Sequence, residues 1–280
     1  MKPKRRIAAV LSIAPALWAT GVRADPPETE PRSDTADPAP VERVPTRDPT
    51  GGAYTSPTLL FTPAGALPVW NVRATASTEL QSPSDVHAGL RPGLGVEVGL
   101  PAGLTLAAGT NWVGGDVSAT GSTDFNLGLS PYAQARFHIA GRDDGQGFQL
   151  GTSATYKFVG FEGDPGEMEW GLSAQYRRRR FEIGLQGVLG KDFATTSADG
   201  EVHAYALYRV IPQLGIGGAG QLRTAIVSQP GSNAYDALGG GMVSLTLQQY
   251  QIGALAGAST LGLLQGQVGA LGQLFGSARF

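Results

Sequence analysis

Eight basic side chains, Arg73, Arg91, Arg136, Lys157, Arg177, Arg209, Arg223 and Arg279, and four acidic ones, Glu97, Glu169, Glu182 and Glu201, fall on the polar positions of segments in which polar and apolar residues alternate. Charges gathered on one face can pair and seal an enclosed space, or line a passage that favours anions. Other chemistry finds little support. His87, His138 and His203 are far apart in sequence, and a serine hydrolase needs a Ser, a His and an orienting group within hydrogen-bond reach. Ser130 and His138 share a face, but eight residues of strand hold them about 26 Å apart. The glycine-rich run at 215–220 lacks the strand-to-helix context of a phosphate loop. Asp143-Asp144-Gly145 and Glu162-Gly163-Asp164 lack EF-hand spacing and read as solvated turns. The chain has no cysteine, hence no disulfide framework and no thiolate metal site. No catalytic residue, cofactor or metal is expected, and the chain reads as a non-enzyme.

These charges must be positioned by unusually long strands. The clearest segment is 125–139, FNLGLSPYAQARFHI, in which Phe125, Leu127, Leu129, Pro131, Ala133, Ala135, Phe137 and Ile139 alternate with Asn126, Gly128, Ser130, Tyr132, Gln134, Arg136 and His138. A soluble strand usually ends after about five or six residues. A membrane-spanning strand needs about 9–11, tilted, with one side facing lipid. Segments 148–158 and 168–177 repeat the pattern. Twelve such segments are expected, at about 68–78, 86–100, 103–113, 124–139, 147–159, 167–178, 180–190, 200–210, 213–226, 236–248, 250–259 and 266–280. Their connections alternate short and long, as in barrels with tight periplasmic turns and longer outer loops. Trp70, Trp112, Tyr156, Phe158, Trp170, Tyr176, Phe181, Tyr208, Tyr250 and Phe280 share the apolar parity near strand ends, where two aromatic girdles belong. Charged residues make up 16% of 280 and the net charge is −2, which leaves no basic footprint for nucleic acid.

Two features strain this reading. Pro92 and Pro131 lie within strands, where each forfeits a ladder bond and a bulge is expected. The run 252–277 carries no charge and is long enough for a spanning helix, although its seven glycines and continuing alternation favour strands.

The N-terminus reads as a secretory signal over residues 1–24. Lys2, Lys4, Arg5 and Arg6 precede an apolar run, and Val22-Arg23-Ala24 suits cleavage. Residues 25–57 are rich in Pro, Asp, Glu, Arg and Thr, and read as a disordered periplasmic tail. The apolar patch TLLFTPAGALP (58–68) is expected to lead into the first strand; docking inside the barrel or in the membrane interface are its other readings. The barrel is assigned to 58–280, with strands from about 68.

Over roughly 68–280 the sequence resembles the bacterial outer-membrane β-barrel proteins. It ends in Phe280, with Ala278, Gly276, Leu274, Gly272, Ala270 and Val268 at the alternate positions before it. The resemblance implies an all-β, antiparallel up-and-down transmembrane barrel of about twelve strands in the cell outer membrane. It also implies an assembly signal at Phe280 that is read by the barrel-assembly machinery. The partners expected are outer-membrane lipid, that machinery, and small anionic solutes. The expected function is a passive pore or small-solute channel with a mild anion preference. A non-conducting structural or binding barrel is the alternative, and an outer-membrane hydrolase the third reading. A secreted β-sandwich is the competing fold.

Overall fold

Segments that alternate over ten or more residues satisfy their backbones by pairing sideways, and a sheet of them is stable in lipid only if it has no free edge. A computed structural model of the chain describes residues 55–84, 87–113, 116–118, 123–124, 128–142, 145–158, 166–193, 198–227, 235–262 and 267–280. The expected signal at 1–24, residues 25–54 of the Pro-rich stretch, and the acidic residues 143–144 and 162–164 lie outside the described residues.

Twelve wall strands are present: β1 (Val72–Ser84), β2 (His87–Leu100), β3 (Leu104–Val113), β4 (Gly128–Gly141), β5 (Gly147–Lys157), β6 (Glu167–Arg178), β7 (Phe181–Asp192), β8 (Ala198–Arg209), β9 (Leu214–Val227), β10 (Tyr235–Leu247), β11 (Tyr250–Gly262) and β12 (Gln267–Arg279). Each pairs antiparallel with its neighbours in sequence. β1 also pairs with β12, from Arg73 opposite Arg279 to Ser82 opposite Ala270, so the sheet closes. Val72 and Phe280 complete the seam with reciprocal backbone bonds of 3.1 and 2.8 Å. Beyond the end of β3, the short pieces Asp116–Ser118 and Thr123–Asp124 extend the sheet from β2. The end holding Val72, Phe280, residues 142 and 145–146, and the turns at 101–103, 179–180, 210–213 and 248–249 is called inner below, and the opposite end outer.

Burial is inverted relative to a soluble protein. Thr105, Gln149, Ser173, Glu182 and Ser244 are buried, whereas Trp170, Leu172, Leu185 and Leu189 are each more than half exposed on the outside. Water would disfavour each such leucine by about 1.5–3 kcal/mol relative to an apolar medium. A β-sandwich buries the other parity, so the outer face requires lipid. The aromatic rings sit where girdles need them. Tyr176, Phe181, Tyr208, Tyr250 and Phe280 are exposed near the inner end, and Phe158 and Trp170 near the outer end. The Trp112 side chain lies outside the described residues.

Two expectations change, and the strand reading of 252–277 holds. Strand β1 begins at Val72 rather than about 68, because residues 68–71 form a turn. In that turn Trp70 takes a φ of 63°, its N–H donates to Gly99 O at 2.8 Å, and Asn71 N–H to Pro68 O at 2.9 Å. Pro92 and Pro131 need no bulge. They lie opposite Thr78 and Thr110 in unshifted register, since a missing donor removes one bond and displaces nothing. The uncharged run 252–277 forms parts of β11 and β12, and among the described residues no helix is long and apolar enough to cross a membrane.

Candidate functional site

The lumen is not left to the wall side chains. Residues 55–67, expected merely to lead into β1, run inside it. Pro57, Pro63 and Pro68 lack N–H donors, which discourages this stretch from joining the sheet. Ser56 and Thr58 fold its tip by local bonds, with Ser56 Oγ donating to Thr58 O at 2.7 Å and Leu60 N–H to Thr58 Oγ1 at 3.2 Å. The segment's backbone is then satisfied by the wall. The N–H groups of Thr62, Ala64 and Leu67 donate to Gln186 Oε1 (2.9 Å), Gln175 Oε1 (2.7 Å) and Thr105 Oγ1 (2.9 Å). Gln251 Nε2 donates to Ser56 O at 2.7 Å, and His203 Nδ1 contacts Leu60 O. Leu60 and Phe61 complete an apolar cluster with Tyr205, Leu207, Met242, Leu255 and Leu271 on the β8–β12 side, Phe61 meeting Tyr205 edge-on at 4.8 Å. Two wall glycines make the fit possible. A Cβ on Gly151 would stand 2.2 Å from Ala64 O, and one on Gly99 2.2 Å from Pro68 O.

At the inner end two glutamates each hold two arginines. Glu97 Oε2 accepts from Arg73 at 2.6 Å and Arg136 at 2.5 Å. Glu182 Oε2 accepts from Arg177 at 2.9 Å and Arg209 at 3.0 Å, and Tyr205 OH donates to Glu182 Oε1 at 2.8 Å. Gln175 Nε2 in turn donates to Tyr205 OH at 2.7 Å. Glu182, Tyr205, Gln175 and Ala64 thus form one chain of hydrogen bonds from the charge cluster to the inserted segment. Arg279 lies opposite Arg73 across the seam, and residues 178–180 are exposed in the β6–β7 turn.

Above the segment the lumen opens into a cup of about 660 Å³, floored by Leu59, Leu60 and Thr62. The remaining charges face it in pairs: Arg91 with Glu79 at 3.8 Å, Lys157 with Glu169, and Arg223 with Asp199 and, at 3.5 Å, Glu201. The structure therefore divides the twelve charges named from sequence into an inner group, Arg73, Arg136, Arg177, Arg209, Arg279, Glu97 and Glu182, and an outer group of five. Sequence reasoning missed Glu79 and Asp199 as partners, and Gln175, Gln186, Gln251 and Thr105 as holders of the segment. Isolated glutamines carry no sequence signal, but glycines on the lumen parity at 99 and 151 mark where a backbone comes close. Of the histidines, His138 is half-buried near the inner end, its Nε2 2.8 Å from Ala140 O, and His203 faces the cup. The His87 side chain lies outside the described residues. Among the described residues no group of three or more His, Cys, Asp or Glu is placed to hold a metal.

A closed twelve-stranded antiparallel barrel with an apolar outer belt and a polar lumen has the fold of the bacterial outer-membrane β-barrels. Solved structures of that kind are similar to it. An outer-membrane channel from Pseudomonas putida F1 matches with a TM-score of 0.52 and 13% identity, over 78% of this chain and 98% of that one. A KdgM porin in complex with disordered oligogalacturonate matches with a TM-score of 0.52 and 10% identity, over 74% and 99%. The likeness at these identities is one of fold. No protein-family model matches the sequence, and no curated protein matches it.

Proposed function

We propose that the protein is a small-solute channel of the bacterial outer membrane, shut in the state described here by its own residues 55–67. The observation that carries this reading is how the segment is held. It occupies the lumen through single bonds to wall side chains and the packing of Leu60 and Phe61 in an apolar cluster, and contributes no strand to the sheet, so it can leave while every wall ladder stays intact. Each neutral bond of this kind contributes about 0.5–1.5 kcal/mol net and each buried large apolar side chain about 1.5–3 kcal/mol, so the wild type rests shut and opens in a minority of molecules. The similar folds of a porin and a channel support a pore. On this reading the inner end faces the periplasm, residues 1–24 are removed on export, and Phe280 is the mark read by the assembly machinery. An anion bias belongs to the inner mouth, where five arginines face two glutamates.

The test is planar-bilayer recording of purified, folded protein. Wild type should be mostly silent, and a variant lacking residues 55–66 should give steady current with reversal potentials favouring anions. A Thr62→Cys, Gln186→Cys pair joined by a short bis-thiosulfonate should abolish the openings that remain in wild type. A folded deletion variant that stays silent would leave a non-conducting structural or binding barrel.

A further inference from the structure

His203 stands on β8 with a hydrogen-bond acceptor on each side of its ring. Nδ1 contacts the carbonyl oxygen of Leu60, at the tip of the inserted segment, and Nε2 lies 2.8 Å from Glu201 Oε2. A carbonyl and a carboxylate only accept. A neutral imidazole has one N–H, so it serves one of them and turns a lone pair toward the other. Turning the ring over leaves the same conflict, and only the imidazolium donates to both. We propose that protonated His203 is the latch on the tip of the segment, so that the gate closes as pH falls and opens as pH rises. The proposal rests on the channel reading above and adds the group that controls the gate.

The surroundings fix the sign. The adjacent strands place neutral Gln186 and Gln221 opposite His203. Glu201, on its own strand, also accepts from Gln221 Nε2 at 2.8 Å and lies 3.5 Å from Arg223 Nε. Arg223 is further held by Asp199, Lys157 on β5 pairs with Glu169 on β6, and Arg91 on β2 with Glu79 on β1. Histidine is the side chain that ordinarily titrates between about pH 5 and 8. When the ring loses a proton, the one that remains goes to the charged acceptor, because charge-assisted bonds are the stronger. Nδ1 then presents a lone pair to Leu60 O. The shut state therefore carries the extra proton and is favoured at low pH, and this contribution disappears as pH rises. The apolar packing of Leu60 and Phe61 is untouched, so the latch biases the gate without being its whole hold.

Two readouts test this on the full chain. In bilayers the open-to-shut ratio should rise about ten-fold or more between pH 5 and pH 8, the scale of one charge-assisted bond. His203→Gln should flatten that profile, whereas His138→Gln should retain it. Separately, a nitroxide on Leu59→Cys, at the exposed tip, should be ordered at pH 5 and more mobile at pH 8, and insensitive to pH when His203→Gln is added. A wild-type pH profile in His203→Gln would overturn the latch, as would a nitroxide spectrum that does not change with pH in the wild-type background. A barrel lacking residues 55–66 that stays silent ends the channel reading instead. The nitroxide still decides the latch in that case, because it follows the segment without current.

Discussion

Replacing Glu182 with Gln removes one negative charge and almost no volume, which isolates electrostatics from packing. In the folded barrel the Arg177 and Arg209 side chains are each 4% exposed and that of Glu182 is 2% exposed, so water cannot take over the carboxylate's role. Removing one partner from a buried pair costs about 3–5 kcal/mol, because the remaining charges stay desolvated. Two guanidiniums lose their counter-charge here, which places the expected loss in that range and makes it insensitive to salt. The Tyr205 hydroxyl loses a charged acceptor as well, which weakens the chain through Gln175 to Ala64 and should raise the open fraction. Urea unfolding in lipid vesicles, followed by tryptophan fluorescence and extrapolated linearly, measures the loss. A triple variant with Leu at 177, 182 and 209 should recover most of it, since exchanging a whole buried cluster for apolar groups is often neutral. A loss under about 1 kcal/mol in Glu182→Gln would mean that water reaches the cluster and that the inner end is not sealed.

Two further outcomes follow from faces and close approaches. Leu185→Arg, on the lipid side, should cost about 2–4 kcal/mol of barrel stability, whereas Gln186→Ala, one residue along in the lumen, should cost about 1 kcal/mol and raise conductance by freeing the Thr62 N–H; equal barrel losses in urea unfolding would refute the face assignment. Gly151→Val should expel the segment, because its Cβ would stand 2.2 Å from Ala64 O, and bilayer recording should show steady current from a normally assembled barrel; a silent variant would refute the fit of Ala64 against β5.

The wall was legible because alternation is a local property: each residue of Leu172 to Arg177 announces its face by type alone, and the lipid medium enforces that code on every strand. Ion pairs between neighbouring strands were half legible. Arg73 lies opposite Glu97 and Arg177 opposite Glu182 in register, so parity and hairpin position suffice. Arg136 and Arg209 reach the same glutamates from non-adjacent and adjacent strands alike, through the depth of the lumen. The inserted segment was illegible for a different reason. Its partners are 111 and 124 residues away at Gln175 and Gln186, and a proline-broken apolar run suits a lumen, an interface or a linker equally well. That distinction changes what the arginines can do. At the inner end five arginines face two glutamates, whereas in the cup Arg91, Lys157 and Arg223 face Glu79, Glu169, Asp199 and Glu201. Among the described residues the inner end thus carries more arginines than glutamates. On the channel reading proposed above, an anion-favouring field would lie at the inner end of the lumen, whereas the latch at His203 lies apart from it, facing the cup. An anion preference should accordingly appear only with the openings, at the inner mouth, and fade as salt shortens the Debye length from about 10 Å at 0.1 M to about 3 Å at 1 M.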